Sequence, residues 1–176
     1  MKNVLLPTDL TVQSLKPVHD IVKEANGQPI NVSVVHLICP PTSITELLFI
    51  GQSKPFHEVP QKFKEALQFL RNRYEGLLTI RFDFVYCNTS RYFNNFVEGN
   101  RIDEVYVLNN YSYRLTLRQS EDPAAYLNKC KVQMHKVTLH PETSREFQNF
   151  SVLLNEPEQR KTAELNRSAK TTVSYS

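Results

Sequence analysis

Runs of apolar, β-branched residues alternate along this chain with stretches of helical period, and no hairpin signal joins one run to the next. Antiparallel neighbours can be joined by a two-residue turn, whereas parallel neighbours need a crossover. A chain that offers only crossovers is confined to one parallel sheet sandwiched between helices, with right-handed connections. The 176 residues suit one ordinary domain with an appendage, and a 40% hydrophobic content supplies its core.

The first run, Val4–Thr8, is compact and turns at Pro7-Thr8-Asp9, as suits a central strand covered on both faces. Over 11–27, Val12, Leu15, Val18, Val22 and Ala25 recur at helical spacing. Ser14 is the expected N-cap, Pro17 falls in the first turn, and Gly27 is the stop. Residues 30–39 form a second strand-like run, ended by Pro40-Pro41, while 44–51 are apolar but too short to assign. The clearest helix spans 58–76, with Val59, Phe63, Leu67, Leu70 and Tyr74 on one face and Gly76 closing it. A third strand is expected at 77–87, with Arg81 and Asp83 toward its edge, then a helix at 89–99 capped by Thr89 or Ser90 with Phe93, Phe96 and Val97 inward. A fourth strand follows at 103–110, a weak helix at 120–130 and a fifth strand at 131–139. From His140 the chain turns polar and Ser/Thr-rich. The expected division is a domain over 1–140 and an extension over 141–176, whose Phe147–Leu154 stretch docks as a short helix before a disordered tail.

The formal charge is only +3, and no run of Lys/Arg exceeds two, so no nucleic-acid partner is expected. The opening MKNVLLPTDL is too short and too soon acidic for a signal peptide, and no apolar stretch approaches the ~20 residues of a membrane span. The expectation is a cytoplasmic protein with no membrane partner. Cys39, Cys87 and Cys130 are an odd number outside any C-x-x-C arrangement and read as reduced, mostly buried thiols. No His/Cys grouping has zinc-like spacing, so no metal site is expected. His36 reads as a hydrogen-bonded core residue and His19 as an exposed one.

An open parallel sheet binds ligands at the carboxyl ends of its strands, where strand order reverses. With the first strand central, that crevice is lined by Thr8 and Asp9, by the end of the second strand at Leu37–Pro40, and by Asn109 and Asn110 after the fourth. The Asp9 carboxylate can accept hydrogen bonds from an adenine amino group or a ribose hydroxyl. Asp9 and Thr11 also suit the cap of the first helix, and the two roles can coexist.

In order and spacing these segments resemble the universal stress protein family. The matches are Pro7, Thr8, Asp9 and Thr11 at the first strand, Val34, Val35, His36 and Leu37 in the second, and Asp103 with Val105 and Val107 at the fourth. They span roughly residues 2–139. The resemblance implies a Rossmann-like three-layer α/β sandwich, of the adenine nucleotide alpha hydrolase-like type, with a five-stranded parallel sheet in the order 3-2-1-4-5. It also implies a homodimer, often through the last strand, and an adenine site near Asp9 that uses second-strand backbone near Leu37. Cys39 and Cys87 would then end neighbouring strands, where a regulatory disulfide can form.

One departure from the family cuts against its chemistry. ATP-binding members follow the fourth strand with a glycine-rich loop, whose small residues let backbone N–H groups close around phosphates. Residues 109–126 hold no glycine at all. Asn109 and Asn110 can adopt left-handed backbone, but Tyr111 and Tyr113 are bulky. The resulting expectation is a regulatory stress-response domain acting through protein partners, requiring no cofactor and not binding ATP in the family manner. The alternative is a module that binds AMP, adenosine or ATP with weak or no ATPase activity; an unrelated anion held by Arg114 or Arg118 is a further possibility. The 109–126 loop discriminates. If it folds back so that Tyr111 or Tyr113 fills the crevice, no nucleotide fits; if it stands away, a ligand can enter. No G-x-S-x-G elbow, Walker A sequence or His-x-Gly-His turn is present, so no catalytic residue is assigned.

Overall fold

The computed structural model describes residues 1–41, 43–45 and 56–138. Five parallel strands form one sheet in the order β3-β2-β1-β4-β5. They are β1 (Lys2–Pro7), β2 (Ile30–Ile38), β3 (Leu78–Tyr86), β4 (Glu104–Leu108) and β5 (Gln133–Val137). The helices are α1 (Pro17–Glu24), α2 (Gln61–Arg73), α3 (Ser90–Gly99) and a single turn, α4 (Ala124–Leu127). The sheet, its order and its flanking helices are those expected from the sequence.

β1 is central because it can be: Val4, Leu5 and Leu6 are no more than 1% exposed, which only a strand covered on both faces allows. It pairs with β2 from Lys2↔Ile30 to Pro7↔Val35, and with β4 at Val4↔Glu104 and Leu5↔Val105. Leu5, Val35, Leu37, Val85, Val105 and Val107 build one face of the core with Phe93 and Val97 of α3 and Tyr126 of α4. Alternation along the strands sends Val4, Leu6 and Val34 to the opposite face. There Leu15, Val18 and Ile21 and the α2 residues Phe63, Ala66, Leu67 and Leu70 are also buried.

Helix starts and stops follow local chemistry. Thr11, not Ser14, is the first cap: its side chain accepts the Ser14 N–H and opens a turn of 3-10 helix over Val12–Leu15, after which Pro17 begins α1. Thr89 caps α3 by accepting the Tyr92 N–H. The helix read over 58–76 is shorter, beginning only after Pro60, with a separate 3-10 turn at Phe56–Glu58. Gly76 stands at φ +81° beyond it, where a side chain would be strained. His19 is not exposed as expected; it is half-buried and hydrogen-bonded to the Tyr74 hydroxyl. The helix expected at 120–130 shrinks to one turn, because Glu121 is already tied to β2 by its N–H on Leu37 O at 2.9 Å. All three cysteines are free; Cys87 is buried but Cys39 and Cys130 only half so. No helix among the described residues is long and apolar enough to cross a membrane. Most of 44–51 and the whole extension over 141–176 lie outside the described residues.

Phe93 is fully buried at the centre of the α3–sheet contact. Its truncation in Phe93→Ala is expected to cost about 3–5 kcal/mol, through lost transfer energy and the cavity left behind. Urea denaturation should show the midpoint falling with the slope unchanged.

Candidate functional site

Beyond Pro7 the chain turns sharply at the carboxyl end of β1. The Thr8 N–H extends the parallel ladder to Val35 O at 2.9 Å. The Thr8 hydroxyl lies 2.6 Å from Ser14 Oγ and accepts the Leu10 N–H at 3.0 Å. Leu10 has φ +64°, a left-handed conformation unusual for a non-glycine residue. It is held there by that bond and by burial of its side chain, which is 2% exposed. This turn fixes Asp9 at the end of the central strand.

Asp9 is 1% exposed, and its acceptor sites are filled by its own chain. Oδ1 accepts the Thr11 N–H at 3.1 Å and the Thr11 hydroxyl at 2.6 Å. Oδ2 accepts the Tyr111 hydroxyl at 2.6 Å and the Arg114 N–H at 3.0 Å. The Asp9 peptide oxygen accepts the Thr116 hydroxyl. An ionised carboxylate offers about four lone-pair sites, so nothing remains for an outside donor. Burial alone would raise the Asp9 carboxyl, but hydrogen bonds from Thr11, Tyr111 and Arg114 outweigh it and hold the group below the usual carboxylate value. The Tyr111 phenol moves the other way, pushed up to about 12 by burial and by its bond to Asp9.

The loop after β4 therefore folds back over the crevice. Tyr111 and Tyr113 meet edge to face, with ring centres 5.1 Å apart. Further along, the loop is fastened to β2. Cys39 N–H donates to Gln119 O at 2.7 Å, Glu121 N–H donates to Leu37 O at 2.9 Å, and Ile38 and Ser120 form an antiparallel bridge. His36, which the sequence reading placed in the core, is the hub beneath. Its Nδ1 lies 2.8 Å from Thr8 O and its Nε2 lies 2.9 Å from Ser120 Oγ, while Ser120 Oγ accepts the Leu117 N–H at 2.8 Å. A carbonyl can only accept, so Nδ1 carries the proton and Nε2 accepts from Ser120. Burial lowers the His36 pKa, with the Thr8 bond and the Asp9 charge pulling partly back.

Of the five residues read as ligand-binding, Thr8, Asp9 and Leu37 converge on this crevice. Asn109 and Asn110 are exposed. Asn109 turns to β5, its N–H on Val137 O at 2.8 Å and its amide 3.3 Å from Thr138 Oγ1. Asn110 has the left-handed φ expected, +53°. Arg114 engages Asp9 through its backbone, and both Arg114 and Arg118 have exposed side chains. Tyr111 fills the crevice, one of the two paths open to the loop from the sequence; what that reading missed is Thr116 and Ser120, whose hydroxyls also bond into the crevice. Their density in a segment without glycine was the available signal. A cavity of about 380 Å³ lies elsewhere, against the β2–β3 edge, lined by Ser33, Arg71, Arg81, Asp83 and Asn100 among others. Among the described residues no group of His, Cys, Asp and Glu is arranged to hold a metal ion.

No family model and no curated protein matches the chain. Solved structures do. The hypothetical protein MJ0577, solved for a structure-based assignment of its biochemical function, aligns with a TM-score of 0.51 at 11% identity, over 79% of this chain and 96% of that one. Universal stress protein UspA from Lactobacillus plantarum aligns at a TM-score of 0.47 and 15% identity, over 79% and 97%. A universal stress protein family protein from Arabidopsis thaliana with AMP bound aligns at 0.43 and 10%, over 81% and 94%. At such identities the likeness is one of fold alone: the chain shares the parallel α/β fold of MJ0577.

Two outcomes follow from the crevice. Asp9→Asn replaces one acceptor oxygen by an N–H donor and should cost on the order of 1–3 kcal/mol for each buried donor it orphans, read as a lowered unfolding midpoint at neutral pH. His36 has a folded-state pKa below its ordinary value near 6.5, so the unfolded state takes up the proton first. The stability this neutral histidine supports is complete above that value and falls as pH drops through it. Melting temperature should decline between pH 7 and 5 in the wild type and decline less in His36→Asn.

Proposed function

We propose that this chain is a universal stress protein-like regulatory domain whose nucleotide crevice is closed by its own loop, and that it acts through protein partners without ATP. One observation carries the reading: both hydrogen-bonding features of the crevice are occupied from within. Tyr111 and Arg114 fill Asp9 Oδ2, and Glu121 fills the Leu37 carbonyl. An adenine amino group or ribose hydroxyl would have to displace a phenol bonded at 2.6 Å to a buried carboxylate, a charge-assisted contact of the stronger kind. Nor does the loop supply a phosphate cradle, since its backbone N–H groups at Arg114, Leu117 and Glu121 point to protein acceptors. No catalytic role is assigned, and no cofactor is required.

A nucleotide-binding reading draws its support from relatives of the same fold solved with AMP or in complex with cAMP. It requires the loop to swing out. Thermal unfolding with and without millimolar ATP, ADP, AMP and adenosine separates the two. A ligand at 100 times its dissociation constant adds about 2.7 kcal/mol, which for a domain of this size raises the midpoint by roughly 5–10 °C. No shift is expected with any of the four. A shift with AMP or adenosine would establish the nucleotide reading.

A homodimer through β5 belongs to the same proposal. β5 ends the sheet, so its outer N–H and C=O row has no strand partner among the described residues. Sedimentation at tens of micromolar is expected to show a dimer, and a proline introduced at Lys136 should dissociate it. A wild-type monomer would remove this part of the reading and leave the crevice argument intact.

A further inference from the structure

Cys39 and Cys87 stand side by side one step beyond the last paired residues of β2 and β3. The register couples Leu37 to Val85 and Ile38 to Tyr86. It runs on through the Cys87 N–H bond to Ile38 O at 2.9 Å, which makes 39 and 87 the next pair. Alternation puts both side chains on the face that carries Leu37 and Val85, and Cys87 is packed in that face's core. Both thiols face one carboxylate. The Glu121 carboxylate raises the Cys39 thiol, and its charge raises Cys87 as well. The Tyr126 hydroxyl completes the cluster, 3.3 Å from Cys87 O and 3.4 Å from Glu121 Oε2.

We propose that Cys39 and Cys87 form a reversible intrachain disulfide when the protein meets a peroxide. Adjacent strands lie about 4.8 Å apart, inside the Cα separation of about 4.4–6.8 Å that a disulfide takes. The Cβ atoms must approach to about 3.8 Å, roughly 1 Å closer than the strand spacing, and both residues stand just past the strand ends where a small rotation supplies it. The chemistry closes with the groups present and one hydrogen peroxide. Glu121 takes the Cys39 proton, and the thiolate sulfur attacks one peroxide oxygen. The O–O bond breaks, leaving Cys39 as a sulfenic acid, and the departing hydroxide takes the proton from Glu121 as water. The Cys87 sulfur then attacks the sulfenic sulfur; the S–S bond forms, the S–O bond breaks, and a second water leaves with the Cys87 proton. Two thiols lose two electrons, one peroxide gains them, and a dithiol reductant reverses the bond.

The location gives the bond a consequence. Cys39 N–H and Glu121 N–H are two of the contacts that fasten the loop over Asp9. A disulfide joins the edge strand β3 to that anchor and tightens the loop. Burial, and then the Glu121 carboxylate, push the Cys39 thiol up, and burial does the same to Cys87, so oxidation is slow near neutral pH and accelerates as pH rises. Cys130 precedes β5, with β4 and β1 between it and β2, and serves as the internal control.

The test uses the full chain. It is treated with hydrogen peroxide at mildly alkaline pH, alkylated without reduction, digested and mapped by mass spectrometry. One crosslinked peptide pair joining Cys39 to Cys87, two hydrogens lighter and separated by dithiothreitol, is expected, with Cys130 alkylated. In Cys87→Ser, Cys39 should accumulate as a dimedone-trapped sulfenic acid. Amide exchange at Gln119, Ser120 and Glu121 should slow several-fold in the oxidised protein. Three alkylatable thiols under conditions that oxidise glutathione, or links involving Cys130 at equal yield, would overturn the proposal. Neither result bears on whether nucleotides bind.

Discussion

A single buried carboxylate organises the functional end of this domain. Asp9 sits where the central strand ends, and an ionised side chain at 1% exposure is tolerable only if every acceptor site is answered. Thr11 answers two from the turn that follows. The other two must come from elsewhere in sequence, and Tyr111 and the Arg114 N–H supply them across a hundred residues. In a site built for a ligand those two donors would arrive with the ligand. Here they are covalently part of the chain, present at a local concentration no free molecule matches, so the closed state is the default. The depressed Asp9 pKa and the raised Tyr111 pKa are two views of one bond: the phenol keeps its proton because the carboxylate needs it.

His36 extends the same logic to the neighbouring strand. Its neutral ring relays between the Thr8 carbonyl and the Ser120 hydroxyl, so the turn after β1, the end of β2 and the foot of the loop share one hydrogen-bond network. Buried networks of this kind are stable when every member is satisfied and costly when one is not. That makes the loop cooperative with the turn: losing the Asp9 anchor exposes donors at Thr11, Tyr111 and Arg114 together, and losing the His36 anchor frees Ser120 and Leu117. The left-handed Leu10 belongs to the same economy of constraint, since the strained backbone is what brings Asp9 and Thr8 to their respective partners.

Much of the fold was legible because it is written in periodicity. Val4–Leu6 are apolar on consecutive residues, as are Val34–Val35 and Leu37–Ile38 on either side of His36, a pattern that suits a parallel strand buried on both faces, and Phe63, Leu67 and Leu70 recur at helical spacing. The strand order was read from resemblance, and the sheet has it. Boundaries were less legible. Thr11 rather than Ser14 caps the first turn because the Ser14 hydroxyl is committed to Thr8, a tertiary bond that no local pattern announces. In the site, Thr8, Asp9 and Leu37 come together because strand ends in a parallel sheet must. Asn109 does not join them, because β5 offers its backbone a ladder partner in Val137. The loop's path could be posed only as a choice between filling the crevice and standing away, since the outcome depends on side chains a hundred residues apart.

The same physics sets what can reopen the crevice. The loop is held at two places of different character: at Asp9 by a charge-assisted pair, and at β2 by the backbone bonds of Cys39, Leu37 and the Ile38–Ser120 bridge. The first weakens when the carboxylate is protonated, which its depressed pKa reserves for strongly acidic conditions. The second is indifferent to the charge on Asp9. A partner protein that drew Tyr111 away would therefore face the stronger contact first and leave the loop still hinged at Gln119–Glu121. Leu115 is exposed between Arg114 and Thr116, which both anchor to Asp9.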